Sequence, residues 1–308
     1  MTRKKLRCGA VVVLFNPKSD DVHNVERVGG YFDRLVVVDN SQHPVDLDAL
    51  SPHIHCIKNG NLGGIAGAFN AALDWFEKDL DLIFLLDQDS RITEDCVEKL
   101  VKAAATMEST SFIIGPAVFD VNLQKFAPLL NLTKWAYHSE EINPAESGLR
   151  RVFSVISSGS AISRAALERL GKFDETLVID HVDTDYALRA DEAGVPVFMC
   201  IDAVLDHAIG KRSEHHLLGL RLRPNNHAPF RRYYIFRNGL LLAFRHLRRR
   251  PSFFILNIAR MVHELLCILF VEKNRMRKVS AAILGVFDGL FRRVGTFAEK
   301  WPALSKNL

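Results

Sequence analysis

"LIFLLDQDS", residues 82–90, sets an unbroken apolar run directly against two aspartates one residue apart. Five consecutive apolar residues bounded by polar segments read as a strand buried on both faces, the pattern of a parallel sheet covered by helices. Such a strand delivers Asp87 and Asp89 to the carboxyl edge of the sheet, where open α/β sheets bind ligands. Two like charges at that edge repel unless a cation or a reacting proton lies between them.

Upstream, "AVVVLF" (10–15), "LVVV" (35–38) and "HIHCI" (53–57) repeat the apolar-run pattern. Between them, "DDVHNVERVGGYF" and "GIAGAFNAALDWFEKDL" carry apolar spacing suited to helices packed on a sheet. The alternation predicts an α/β, mostly parallel sheet whose strand ends bring Asn16, Asp39, Asn61 and Asp87 to one crevice. A helix follows at "TEDCVEKLVKAAATM", with Thr93 as its N-cap and two acids in its first turn. Residues 117–150 show no clear period. "VFSVISSGSAISRAALERLGKF" reads as strand, turn and helix, and "DETLVIDHVDTDYALRADEAG" as an acidic loop entering a helix. "VPVFMCIDAVLDHAIGKR" reads as the last strand of this body.

At 308 residues with 48% hydrophobic content, the chain has ample material for a large core. Five scattered cysteines without a C-x-x-C pair indicate neither a disulfide framework nor a zinc ribbon, and fit a reducing compartment. The apolar run near the N-terminus stops at Asn16-Pro17 with no small-residue cleavage site, so it reads as a first strand rather than a signal peptide. The net charge of +4 is unevenly spread: residues 231–308 hold 16 Lys+Arg against 4 Asp+Glu, and the remainder 24 against 32. A basic tail on an acidic body points to an anionic surface as the tail's partner.

The chemistry-bearing segments allow several readings. Counted as a calcium loop from Asp87, the D-x-D segment fails, because Ile92 stands where glycine is needed and Arg91 replaces an oxygen ligand. A phosphatase with Asp87 as nucleophile would need Thr or Val where Arg91 stands. "NGNLGGIAGAFN" (59–70) lacks both G-x-G-x-x-G and a G-K-[ST] ending, but its Gly63 and Gly64 before a helix permit close approach to an anionic ligand; tight helix packing is the plainer alternative. Asp180, Asp183 and Asp185 are too many acids for helix capping alone, and a carboxylate in a dry cleft makes a general base. His207, just after a predicted strand and before Lys211-Arg212, is a candidate ligand or a structural imidazole. "RRYYIFRNG" (231–239) offers phosphate recognition or an exposed cationic face.

In order along residues 8–245, "VVVLFNP", "VVVDNS", "NLGGIAGAFNAAL", "LLDQDS", "SSGSAIS", "DHVDTDYALR", "DHAIGKR" and "HAPFRRYYIFRNGLLL" resemble glycosyltransferase family 2 enzymes of the GT-A fold. Their bacterial rhamnosyltransferase branch is the most similar, and within it the wording is closest to the enzymes converting mono-rhamnolipid to di-rhamnolipid. The resemblance implies a dTDP-L-rhamnose donor and a Mg²⁺ or Mn²⁺ ion held by Asp87, Asp89 and His207. It implies that Asp39 meets the thymine base, that Lys211, Arg232 and Arg237 meet the diphosphate, and that Asn16, Asn61, Gly63 and Gly64 line the donor site. Asp183 aligns with the general base of an inverting transfer, with Asp180 and Asp185 as alternates, since Val182 precedes it where many relatives carry Glu. A polyprenyl-diphosphate-linked O-antigen or cell-wall glycan is the second acceptor, and a non-enzymatic sugar-nucleotide-binding role the alternative of another class.

These readings divide the chain into a GT-A domain, residues 1–245, with its donor half near 1–115 and its acceptor half near 116–245, and a basic helical segment, 246–308. "PSFFILNIARMVHELLCILF" (251–270) is interrupted by Arg260, His263 and Glu264, which disfavours a spanning helix. Amphipathic helices lying on anionic lipid at the cytoplasmic face of the bacterial inner membrane fit better than helices that only cover the core. Nucleic acid is disfavoured as a partner, because the body is acidic and no base-reading motif occurs.

Overall fold

The computed structural model describes residues 5–305 except 46, 48, 49, 77, 144, 209, 211 and 218. Its parallel half contains β1 (Cys8–Leu14), β2 (Arg34–Asp39), β3 (Ile54–Lys58) and β4 (Leu82–Asp87), in the order β3-β2-β1-β4. Helices α1 (Ser19–Gly29), α2 (Gly64–Trp75) and α3 (Glu94–Ala104) connect and cover these strands. All seven residues of β1 are buried, and its side chains alternate between two cores. Val11 and Val13 join Phe69 of α2, while Ala10, Val12 and Leu14 join Val25 of α1 and Leu100 of α3. Burial on both faces is why this half of the sheet is written in unbroken Val and Leu runs. The expected cap of α3 is present, with Thr93 Oγ1 accepting from the Cys96 amide at 3.2 Å.

The other half is mixed. Residues 117–150, which show no period in the sequence, form the end of β5 (Ile113–Asp120) and short hairpin strands β6 (Lys125–Phe126), β7 (Leu129–Leu132) and β8 (Tyr137–Glu140). Beyond β9 (Leu149–Val152), strand β10 (Ser160–Ser163) runs antiparallel between β4 and β5, and leads into α4 (Arg164–Leu170). After α5 (Val182–Ala193), the long β11 (Val197–His207) pairs parallel with β5 and antiparallel with β9. The sheet thus continues β4-β10-β5-β11-β9, and the carboxyl ends of β4 and β11 share one edge. A small hairpin of β12 (His215–Leu217) and β13 (Leu220–Leu222) follows.

Three long helices complete the body: α6 (Pro229–Arg245), α7 (Pro251–Phe270) and α8 (Arg275–Leu290), followed by short α9 (Phe297–Lys300) and α10 (Pro302–Ser305). Glycines set the approach of α8 to α6. A Cβ on Gly285 would lie 2.4 Å from the Tyr233 carbonyl oxygen, and one on Gly289 3.0 Å from that of Arg237. The junction is also charged. Arg232 of α6 has no exposed surface, and its guanidinium meets Glu264 of α7 and Glu272 beyond it, while Lys278 of α8 donates to Glu272 at 2.6 Å. Tyr233 donates to the buried Asp288 of α8 at 2.7 Å. A cation without exposure is tolerable only when such carboxylates neutralise it.

Candidate active site at the carboxyl edge

β4 ends in a tight turn in which the Asp87 amide donates to Ser90 Oγ and the Ser90 amide to the Asp87 carbonyl, each at 3.0 Å. Ser158, in the loop before β10, donates its hydroxyl to Asp87 Oδ2. Asp87 Oδ1 is buried with no hydrogen-bond partner among the described residues, and so is Nδ1 of His207 at the end of β11. Burial pushes the Asp87 carboxyl above the usual carboxylate range and nearby Asp89 raises it further, whereas Ser158, His207 and Arg231 oppose the shift. Asp89 itself is exposed. An unpaired buried carboxylate oxygen, with an unpaired imidazole nitrogen on a side chain whose charge acts on it, is a costly arrangement that a bound cation would satisfy.

A strap spanning residues 174–181 leads from the 3₁₀ turn Glu175–Leu177 into α5. Val178, Asp180 and His181 have φ of 66°, 61° and 62°, the left-handed region that non-glycine residues avoid, Val most of all. Strain of roughly 1–3 kcal/mol per residue persists only where neighbours over-determine the backbone, and here they do. The Ile65 amide at the start of α2 donates to the Val178 carbonyl at 2.8 Å. From α6, Asn238 Nδ2 donates to the carbonyls of Leu177, Ile179 and Asp180 at 2.8, 2.9 and 3.0 Å. Arg237 donates to the carbonyls of Thr176 and Leu177, and Arg231 grips both Asp180 carboxylate oxygens.

The strap places Asp183 in the first turn of α5, where its Oδ1 accepts from the Thr184 amide at 2.7 Å. An apolar cavity of about 30 Å³, lined by Phe69, Phe173, Tyr186 and Val197, lies behind it. Burial raises the Asp183 carboxyl above its ordinary range, and the negative charges of Asp180 and Asp87 add to the shift. His181 is driven down to about 4, chiefly by burial, and is neutral at pH 7. Arg260 of α7, which interrupts the apolar run of the tail, acts electrostatically on both Asp183 and His181. One crevice therefore holds a recessed proton acceptor, an unpaired carboxylate–imidazole pair and fixed cations, a set suited to proton abstraction beside a leaving anion.

The structure brings together Asp87, His207, Asp180 and Asp183 and corrects several other expectations. Arg232 and Arg237 do not reach a diphosphate: both are 0% exposed, the first held by Glu264 and Glu272, the second by strap carbonyls and the Gly295 carbonyl. Asp39 is likewise unexposed, and its two oxygens accept from the amides of Ser41 and Val45 at 2.9 Å, so it fixes the loop after β2 instead of facing a base. Asp185 lies inside paired with Arg189 and Arg245, and Asp180 is committed to Arg231, so neither alternate has a free carboxylate for base chemistry.

Gly63 and Gly64 serve packing. A Cβ on Gly64 would sit 2.0 Å from the Val178 carbonyl oxygen, and one on Gly63 2.7 Å from Glu175 Oε2, so the strap covers the helix end expected to receive a ligand. Asn61 spends its side-chain oxygen on Asn40, and Asn16 stays exposed at the edge with its amide on Ser41 Oγ. Lys211 lies outside the described residues. Sequence reasoning offered Arg231 beside Arg232 and Arg237 only as phosphate recognition or an exposed cationic face, and it missed Asn238 and Ser158, although both sit inside segments it singled out: "RRYYIFRNG" and "SSGS".

The glycosyl transferase family 2 profile matches residues 22–171. A dTDP-rhamnosyl transferase, RfbF, from Shigella flexneri is 32% identical over 292 residues, 91% of this chain and 94% of its own length. Among solved structures, S. aureus TarS 1-349 aligns with a TM-score of 0.55 at 13% identity, over 94% of this chain and 82% of that one. GalNAc-T7, crystallised with UDP, GalNAc and Mn²⁺, aligns with a TM-score of 0.54 at 12% identity, over 76% of this chain and 47% of that one. With its β3-β2-β1-β4 sheet, its aspartate-bearing edge and a near whole-length relative, the chain belongs to glycosyltransferase family 2 and has the GT-A fold.

Proposed function

We propose that this glycosyltransferase moves L-rhamnose from dTDP-L-rhamnose, with inversion, to a hydroxyl of a polyprenyl-diphosphate-linked glycan. The observation that carries the reading is the placement of Asp183, recessed and raised in proton affinity, next to Asp87 in one crevice. In a single displacement the acceptor hydroxyl gives its proton to Asp183 as its oxygen bonds to the sugar's anomeric carbon, and the bond to dTDP breaks on the opposite face. A carboxylate held in low dielectric is a stronger base than one in water, and its strap fixes where it points.

The donor set fits a divalent ion, Mg²⁺ or Mn²⁺, in part. Asp87 Oδ1 and His207 Nδ1 are unpartnered and Asp89 is near enough to raise Asp87, but no group of three His, Cys, Asp or Glu is gathered as a complete ligand shell among the described residues. Asp87, His207 and Asp89 would hold the ion with the donor's own diphosphate oxygens filling the shell, and the ion would neutralise charge on the leaving diphosphate. Arg231 is a cation in position to share that task, since its charge acts on Asp87 while Asp180 fixes its orientation.

The rhamnosyl donor draws support from the relative named for dTDP-rhamnosyl transfer. That comparison lends nothing to mono-rhamnolipid, the acceptor placed first from sequence, so the lipid-linked glycan moves ahead of it. The test is mass spectrometry of products after incubation with dTDP-L-rhamnose, Mg²⁺ and each acceptor separately. A gain of one deoxyhexose on the polyprenyl-linked glycan, abolished by EDTA, supports the reading; a gain on mono-rhamnolipid alone restores the other acceptor. Transfer only from another nucleotide sugar refutes the donor.

A further inference from the structure

Of the twenty large apolar side chains exposed among the described residues, eleven fall between residues 244 and 291. They are not scattered. On α8, Met276, Ile283 and Phe287 are 79%, 62% and 43% exposed and recur at seven and four residues, one helical face. The opposite face, with Ala281, Ala282, Gly285 and Gly289 buried, is the one that packs on α6. On α7, Ile255, Val262 and Leu269 repeat at intervals of seven and are exposed, while Phe253 and Met261 are buried toward α6. Each helix is therefore apolar on two sides, and the outer side is left largely open to solvent. Contiguous exposure of this kind marks a surface that another phase or partner covers.

Charge identifies the partner. Between residues 246 and 298 there are only three acids, Glu264, Glu272 and Asp288, and all three turn inward to Arg232, Lys278, Tyr233 and Arg293. Arg248, Lys273, Arg275, Arg277 and Arg292 remain exposed and form no ion pair among the described residues. Every exposed charge between residues 246 and 298 is thus positive. α7 has the length and mean hydropathy, 1.8, of a membrane span, but one side of it packs on α6 and Arg260 on that helix acts on Asp183. A helix so engaged cannot be wrapped by lipid on all sides. We infer that the outer faces of α7 and α8 lie in the interface of an anionic bilayer, their apolar side chains in the acyl boundary and their basic rim on the headgroups. This surface goes beyond the proposed reaction and is independent of which sugar is moved.

The experiment is flotation of the full chain with phosphatidylcholine vesicles, with and without phosphatidylglycerol, at low and high salt. Binding is expected to require the anionic lipid and to fall as salt is raised. An Ile283→Ser/Phe287→Ser double variant should lose flotation, and Arg275→Ser and Arg277→Ser should each weaken it roughly fivefold. Thermal unfolding of each variant separates lost binding from lost fold, since these side chains are exposed. Absence of flotation at low salt, or flotation indifferent to the double variant, overturns the inference. So does light scattering that shows a dimer which the double variant converts to monomer, because a second copy would then cover the face. None of these readouts uses a sugar donor, so they stand or fall apart from the proposed transfer.

Discussion

Asn238 of α6 holds Asp180 by its backbone carbonyl at 3.0 Å, three residues before the carboxylate proposed to take the acceptor's proton. The same amide nitrogen reaches the carbonyls of Leu177 and Ile179, so one buried side chain clamps a strap in which three non-glycine residues have positive φ. Asn238→Asp, isosteric but without the donor, is expected to lower kcat about tenfold or more with little change in donor KM. It should cost on the order of 1–3 kcal/mol of stability, the price of stranding buried carbonyls. Chemical denaturation and steady-state kinetics on the variant check both. A loss of stability alone would mean that the clamp does not position Asp183.

The neighbours Arg231 and Arg232 should part company on substitution. Arg231 grips Asp180 at the crevice, and its replacement by Met is expected to reduce kcat/KM for the donor by about tenfold to a hundredfold while leaving the fold largely intact. Arg232 is sealed between Glu264 and Glu272, so Arg232→Met leaves the buried Glu272 and the half-buried Glu264 with less compensation, at a cost of about 3–5 kcal/mol. Melting curves and donor titrations on the pair decide the matter; equal effects on both measures would collapse the distinction.

Asp183→Asn is expected to lower kcat by about a hundredfold to ten thousandfold. In the wild type, the rate should rise with pH through a pKa displaced above the ordinary 3.8, because burial and the charges of Asp180 and Asp87 favour the protonated form and only the carboxylate accepts a proton. The sign for stability is opposite. A carboxyl whose folded pKa is raised favours folding below its unfolded pKa and loses that contribution as pH rises through the folded value. Asp183→Asn should therefore be more stable than the wild type near neutral pH, with the gain vanishing in acid. Thermal unfolding across pH, beside the pH–rate profile, measures both; lower stability at neutral pH would contradict the buried-carboxylate account.

The strands of the donor half were legible because a sheet buried on both faces leaves a contiguous apolar signature, and the break at Asp87 marks where that burial ends. The arginines of "RRYYIFRNG" were not. α6 is enclosed by neighbours on several sides, so no polar stripe shows which arginine faces solvent, and Glu264 and Glu272, which draw Arg232 inward, lie more than thirty residues away. The Gly63-Gly64 pair was readable as a place of close approach, but what approaches it is the backbone of Val178, a contact more than a hundred residues distant. "VFSVISSGSAISRAALERLGKF" reads as a strand before the glycine turn and a helix after it, whereas β10 follows Gly159, and its antiparallel insertion between β4 and β5 comes from pairing that no local pattern encodes.

The sealed arginine also bears on how such chains can be inherited. Because Arg232 belongs to α6 and both of its counter-charges come from the segment beyond residue 250, the tail is not a module that shuffling could exchange freely among relatives. A donor tail lacking both glutamates would leave its recipient with an orphaned cation at the centre of the helical layer. The tail and the body are thus joined by charge as well as by packing, through one fully enclosed side chain.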